Sequence, residues 1–173
     1  MPIRSEHTIA FSGLKDGRHD FHYAVGAPFF QDRSDEEVHD ADLRVTVELD
    51  KSPSMLVTLI HVSGTVQVDC DHCNTPLDFP LEGDQRQIFR FTGQDPNGDD
   101  EEIVGLDPHA HEVDLGHYIY ECVRLALPIR RVHAPGQCDP EVELSDEPAS
   151  PNEDTDAPDP RWKALEALKD QRS

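Results

Sequence analysis

Alternation of apolar and polar residues is the clearest pattern in this chain. From residue 43 to residue 49 every odd position is apolar and every even position is polar, which is typical of a strand with one buried face. A turn leads into a more apolar strand over Met55–Val62, and another alternating strand covers Thr65–Asp69. Leu77–Leu81 and Gln87–Phe91 are predicted as further strands. Consecutive strands with short turns predict an antiparallel sheet or a partly closed barrel.

The start of the chain is predicted to form a hairpin of its own. His7–Phe11 and Asp20–Val25 both have strand character, and they flank a turn at Lys15–Gly17. The two segments are therefore expected to pair with each other.

One main helix is predicted after the strands. Asp114 is a favourable N-cap, and Pro128 stops the helical pattern. Apolar residues recur between them at helical spacing: Leu115, Ile119, Cys122, Val123 and Ala126. The predicted fold class is therefore α+β, with an antiparallel β-sheet or partly closed barrel and one main helix.

The end of the chain differs from the rest in composition. We predict an α+β domain over residues 1–142 and a tail over residues 143–173, in which an acidic, Pro-containing linker is disordered. A short C-terminal amphipathic helix begins near Asp159 and Pro160. Its apolar stripe is a candidate partner-binding surface, which packs either on the sheet or in a partner's groove: Trp162, Leu165 and Leu168.

Net charge changes the expected partner class. The chain carries a formal charge of −21, so bare RNA is repelled at long range, whereas basic proteins such as ribosomal proteins are attracted. The same acidity is also explained by solubility alone or by a salt-tolerant source.

No membrane segment is predicted. The longest apolar stretch, Met55–Val62, is far shorter than the ~20 residues that span a bilayer. The first residues lack the apolar core of a signal peptide. A cytoplasmic location is expected, in which the cysteines are thiols or metal ligands rather than disulfides.

Four residues have the types and the spacing of a zinc site. Cys70 and Cys73 form a Cys-x-x-Cys pair at the end of a strand, and His133 and Cys138 follow the helix. Together they predict a closed, tetrahedral Cys₃His site with structural zinc as the candidate cofactor.

Other interpretations of these residues stay open. The cysteine pair is also compatible with a redox motif or with reduced cysteines in a turn, and His72 is an alternative ligand. Cys122 is predicted to be a core residue, and His109 and His111 to lie in a solvated loop.

Catalytic motifs are lacking. The sequence contains no Gly-rich phosphate loop, no nucleophile elbow and no His-Glu-x-x-His motif, so we expect no enzymatic activity and no small-molecule substrate. Three arginines are candidate RNA contacts: Arg124, Arg130 and Arg131.

Several of these segments together resemble the YceD family of large ribosomal RNA subunit accumulation proteins. The resemblance is carried by Gly64–Cys73, by Val113–Leu115, by Glu121–Pro128, by Val132-His133 with Cys138, and by Asp159–Lys169. The N-terminal segment and Ile119–Glu121 are similar to the version found in Bacteroidetes-like bacteria. Asn74 stands where a glycine is common in the family.

The resemblance implies a non-enzymatic ribosome-biogenesis factor. Such a protein supports accumulation of 23S rRNA and assembly of the large subunit. The expected partner is a basic ribosomal protein or precursor large-subunit rRNA. The alternative is a zinc-binding or direct rRNA-binding module without a dedicated assembly role.

Overall fold

The structure is a computed structural model that describes residues 6–92 and 103–138. Seven strands and two helices lie within these residues. The elements are β1 Thr8–Ala10, β2 Gly17–Gly26, α1 Ala27–Gln31, β3 Asp40–Lys51, β4 Met55–Asp69, β5 Pro76–Phe91, β6 Ile103–Leu106, β7 Glu112–Asp114 and α2 Gly116–Ala126. The predicted linker and C-terminal helix lie outside this part of the chain and remain predictions, as does the domain division.

A five-stranded sheet forms the centre of the fold. Its strand order is β2-β3-β4-β5-β6, and all neighbours are antiparallel except β5 and β6, which are parallel. β1 and β7 form a separate two-stranded ribbon. The predicted α+β class and mostly antiparallel sheet are confirmed, and the described strands do not close into a barrel.

Pairing between the apolar positions of β3 and β4 builds the core. Val45 faces Val62 and Val47 faces Ile60, and all four side chains are buried. Because side chains alternate along a strand, this register directs one whole face of the sheet into the core. The predicted alternation in β3 is therefore confirmed residue by residue.

The predicted N-terminal hairpin is wrong. β2 pairs along its full length with β3, while β1 pairs with β7. The chain turns away after β1 because Phe11 and Ser12 both donate backbone hydrogen bonds to the carbonyl of His111. Lys51 Nζ then donates to the carbonyls of Phe11 and Leu14 at 3.0 and 2.7 Å. The ten residues of β2 make more backbone hydrogen bonds with β3 than they could make with the three-residue strand β1.

β4 and β5 are longer than the pattern predicts, because each predicted pair of strands is one continuous strand. Gly64 lies inside β4, between the two strands that the pattern predicts. Its φ is +148°, a conformation that residues with a side chain rarely adopt. A Cβ atom at this position would lie 2.1 Å from the carbonyl oxygen of Asp42. Only glycine allows β3 to approach β4 this closely.

α2 covers the core side of β4 and β5. Its buried residues include Ile119, Cys122 and Val123, which confirms the predicted apolar face and Cys122 as a core residue. Gly83 allows α2 to lie close to β5, because a Cβ atom at residue 83 would lie 2.7 Å from the Cβ atom of Ala126.

The start of α2 differs slightly from the prediction. The N-cap position is Leu115, whereas the Asp114 carboxylate accepts a hydrogen bond from the backbone N–H of Gly116 at 2.8 Å. The helix ends at Ala126 because Leu127 is extended ahead of Pro128. Neither described helix has the length and apolar content to cross a membrane.

Replacement of Gly64 tests the close approach of β3 and β4. Gly64→Ala is expected to lower the free energy of unfolding by at least about 1–3 kcal/mol, because the φ is unfavourable and the Cβ meets backbone. Urea unfolding measures the change. Gly13→Ala is the control, since a Cβ there meets nothing within 4 Å. Equal effects of the two replacements would contradict this account.

Candidate metal centre

The turn between β4 and β5 places two cysteines side by side. Cys70 donates its backbone N–H to the carbonyl of Thr75 at 2.9 Å, and Asn74 donates to the carbonyl of Cys70 at 2.8 Å. Both cysteines are buried. This turn therefore presents two thiols to the same point at the end of the hairpin.

Asn74 supplies the backbone conformation that the turn requires. Its φ is +55°, in the left-handed region that glycine and asparagine tolerate best. Asparagine in place of the family's common glycine therefore keeps the geometry of the turn.

The segment after α2 brings the other two ligand candidates to the turn. Asp71 donates its backbone N–H to the carbonyl of Arg131 at 2.7 Å, and the backbone N–H of Arg131 donates to the Asp71 carboxylate at 2.6 Å. His133 and Cys138 follow directly on this segment. A tight turn at Gly136, with φ of +80°, directs the chain back toward the two cysteines.

The four predicted ligands come together. The Sγ atoms of Cys70, Cys73 and Cys138 and a ring nitrogen of His133 all lie within 4.8 Å of one another. His133 Nδ1 is 3.5 Å from the sulfur of Cys73 and 3.9 Å from that of Cys138. Ligands of tetrahedral zinc lie about 3.5–3.8 Å apart, given bonds of about 2.0–2.3 Å. The group can therefore hold a metal ion with little rearrangement.

The orientation of the His133 ring suits metal binding. Its Nε2 lies 3.3 Å from the carbonyl oxygen of Pro76, which can only accept, so this nitrogen carries the hydrogen. In the neutral ring the lone pair is then on Nδ1, which faces the sulfurs. In metal-bound histidines, the ring nitrogen that does not bind the metal commonly donates its hydrogen to a backbone carbonyl.

Electrostatics at the centre favours a cation. Burial acts to raise the pKa of Cys70, but hydrogen bonds from the backbone N–H groups of Cys73, His72 and His133 bring the pKa down to about 6. Burial and the neighbouring cysteine sulfurs raise the pKa of Cys138 to about 11. Three thiols packed together cannot all ionise easily without a compensating charge, which a divalent cation supplies.

The redox interpretation has less structural support. Low-pKa cysteine pairs of redox proteins are commonly activated at the N-terminus of a helix. Here Cys70 and Cys73 lie in a turn between two strands, with the next helix far along the chain. His72, the alternative ligand, is not a member of the four-residue group.

Two of the three candidate RNA-binding arginines are already in ion pairs. Arg124 Nη2 lies 2.9 Å from the Glu37 carboxylate, and Arg131 Nη1 lies 3.2 Å from the same oxygen. Hydrogen bonds from Arg124, with its charge and that of Arg131, lower the pKa of Glu37. Arg130 is exposed and has no ion pair with the residues described. Direct RNA binding through these arginines stays a prediction.

The same network continues to a buried carboxylate. The Asp35 side chain is only 3% exposed; its carboxylate accepts a hydrogen bond from Tyr120 at 3.0 Å and lies 3.5 Å from Arg124 Nη1. Asp35 and Glu37 lie between α1 and β3, a segment without periodicity, so sequence reasoning missed them. Trp162, Leu165 and Leu168, the predicted partner-binding residues, lie outside the described part of the chain.

Comparison with known proteins identifies the family. The model of the large ribosomal RNA subunit accumulation protein YceD matches residues 59–169. This chain belongs to the YceD family. The matched region includes the four ligand candidates and the whole of α2. No curated protein and no solved structure matches the chain significantly. The resemblance to the Bacteroidetes-like version of the family stays a prediction.

Substitutions at Asn74 test the conformation of the metal-centre turn. Asn74→Gly is expected to leave stability unchanged or slightly raised. Asn74→Val is expected to lower the free energy of unfolding by about 1–3 kcal/mol, because a β-branched residue is strained at positive φ. Residue 74 is exposed, so neither change disturbs packing. If the two variants unfold at the same urea concentration, the turn does not need this conformation.

Proposed function

We propose that this protein is a non-enzymatic ribosome-biogenesis factor that supports accumulation of 23S rRNA and assembly of the large subunit. Family membership carries this proposal, since the family's description names accumulation of large-subunit rRNA. The protein acts in the cytoplasm, where ribosomes assemble. It acts through a basic ribosomal protein or a precursor rRNA complex, without turnover of a small molecule.

The metal centre has a structural role in this proposal, with zinc as the ion. Cys70, Cys73, His133 and Cys138 would supply four protein ligands to a zinc ion, the number found in structural zinc sites, which leave no position for water or substrate. The ligands come from two places far apart in the chain, the β4–β5 turn and the segment after α2. Bound zinc therefore closes a long loop and stabilises the end of the sheet.

Charge favours a protein partner over naked RNA. The net charge of −21 repels phosphate at long range. Arg124 and Arg131 are engaged by Glu37, so their charges are largely compensated within the fold. An RNA-containing precursor is therefore approached through its basic protein components.

Metal analysis tests the structural centre. Carefully purified protein is expected to contain about one equivalent of zinc, and Cys73→Ser is expected to lose it, because a missing thiolate removes one of four ligands. The variant is also expected to unfold at a lower temperature, since metal binding and folding are coupled.

Cys122→Ala is the matched control, because this cysteine lies in the apolar core rather than in the metal group. It is expected to keep its zinc. Less than about a tenth of an equivalent in the unmodified protein would remove the zinc centre from the proposal.

Depletion in cells tests the assembly role. Loss of the protein is expected to lower mature 23S rRNA relative to 16S rRNA and to reduce free large subunits, because the large subunit is the family's named target. Quantitative rRNA analysis and sucrose gradients measure both. Unchanged ratios and unchanged subunit profiles would contradict the proposal.

A further inference from the structure

One face of the five-stranded sheet, called here the uncovered face, has no element packed over it within residues 6–92 and 103–138. α2 packs against the other face at Gly83, and no described element lies over the even-numbered positions of β3 or the odd-numbered positions of β4. Leu59 is 42% exposed in the middle of this uncovered face. A single exposed leucine does not by itself mark an interface, but Leu59 can give apolar contact to a chain that lies across this face.

Charge is distributed unevenly over the uncovered face. In the half of this face nearest the metal centre, the described strands contribute a single arginine, Arg44. Its carboxylates are Asp40, Asp42, Asp69, Asp78, Glu82 and Asp84. Asp69 lies 3.0 Å from a ring nitrogen of His39 and Asp84 lies 2.7 Å from one of His61, so the other four are the ones without an ion pair among the residues described. The other half is balanced, with Arg18, Arg86 and Arg90 opposing Asp20, Glu48 and Asp50. The negative field of this face is therefore concentrated at one end.

A depression in the acidic half brings three carboxylates together. It has a volume of about 170 Å³ and is lined by Asp40, Asp42 and Asp78 together with Thr65 and Gln67. Asp78 accepts a hydrogen bond from Gln67 at 3.1 Å, and Asp40 accepts one from the N–H of Ala41 at 2.8 Å. None of the three carboxylates has an ion pair within residues 6–92 and 103–138, in contrast to Asp35 and Glu37.

A second depression on the same face offers apolar contact. It has a volume of about 220 Å³, and Val57 and Leu59 lie in it between Arg18 and Arg86. Leu59 and Gln67 are both on β4, so the two depressions are about 25 Å apart along one strand. An extended peptide of eight or more residues reaches both.

We propose that the uncovered sheet face docks an extended, arginine- and lysine-rich segment of a protein partner. A cationic side chain enters the depression at Asp42 and Asp78, and an apolar side chain covers Leu59. This inference rests on the proposed function, which already requires a basic partner, and assigns that partner a surface. RNA is disfavoured because its phosphates meet the carboxylates, and a second copy because it presents the same negative field.

Charge reversal at the acidic depression is the direct test. The probe is a fluorescent twelve-residue peptide of alternating arginine and alanine with one central leucine. The double variant Asp42→Lys with Asp78→Lys is expected to bind this peptide at least about tenfold more weakly than the unmodified protein. Both residues are exposed, so the thermal unfolding temperature is expected to stay within a few degrees.

The matched control reverses two exposed carboxylates elsewhere. Asp16→Lys with Glu36→Lys changes the net charge by the same amount, but these exposed residues lie in loops outside the strands of the sheet and line neither depression. This control is expected to stay within about threefold of the unmodified protein. Equal weakening by both double variants, or weakening by neither, would overturn the proposed surface.

Complementation in cells separates the two proposals. In a strain that lacks the protein, the Asp16/Glu36 variant is expected to restore the 23S to 16S ratio and the Asp42/Asp78 variant to fail. If both variants restore it, the docking surface is wrong while the assembly role stands. If loss of the protein never changes the ratio, the assembly role fails, and the peptide assay still decides whether the surface binds basic segments.

A photoreactive side chain in place of Thr65 identifies the class of occupant. Thr65 is exposed in the acidic depression. Crosslinking in cells to a basic protein is expected. Crosslinks only to rRNA, only to another copy of this chain, or to nothing above background would each overturn the inference.

Discussion

Two backbone-linked contacts between Asp71 and Arg131 hold the metal end of this protein together. One residue lies within the Cys-x-x-Cys turn and the other ahead of His133, and each donates its backbone N–H to the other residue. This exchange places the segment after α2 against the hairpin. Only then can His133 and Cys138 reach cysteines that are some 60 residues earlier in the chain. The ligand group depends on this contact, and in turn fixes it when an ion is bound.

The arginines around this contact serve the fold. Arg131 bridges Glu37 and Asp71, while Arg124 joins Glu37 to the buried Asp35. A buried carboxylate such as Asp35 is costly without partners, and Tyr120 and Arg124 provide them. The charges of Arg124 and Arg131 are thereby compensated within the fold. On the uncovered sheet face, Asp40, Asp42 and Asp78 have no ion pair within residues 6–92 and 103–138, whereas Asp69 and Asp84 lie beside His39 and His61.

Local sequence patterns predicted the strands and helices better than they predicted which strands pair with each other. The alternation in β3 and the helical spacing in α2 were both correct, because burial of one face imposes a period that is visible in the residues themselves. The N-terminal hairpin was wrong, since β2 had a longer partner in β3. The pattern breaks at Gly64 between two predicted strands, but this residue lies inside one continuous strand, where the close approach of Asp42 explains the glycine.

The sequence by itself determined the class of fold, the candidate ligand types and the direction of the charge. It predicted all four members of the Cys₃His group from two short segments of ligand residue types, while the redox pair and His72 stayed as alternatives. The tertiary structure decided that His133 and Cys138, rather than His72, lie beside the two cysteines. It also decided that Arg124 and Arg131 are compensated, and that one sheet face has no cover within the described residues. These features depend on contacts between residues far apart in the chain, whose partners no local pattern records.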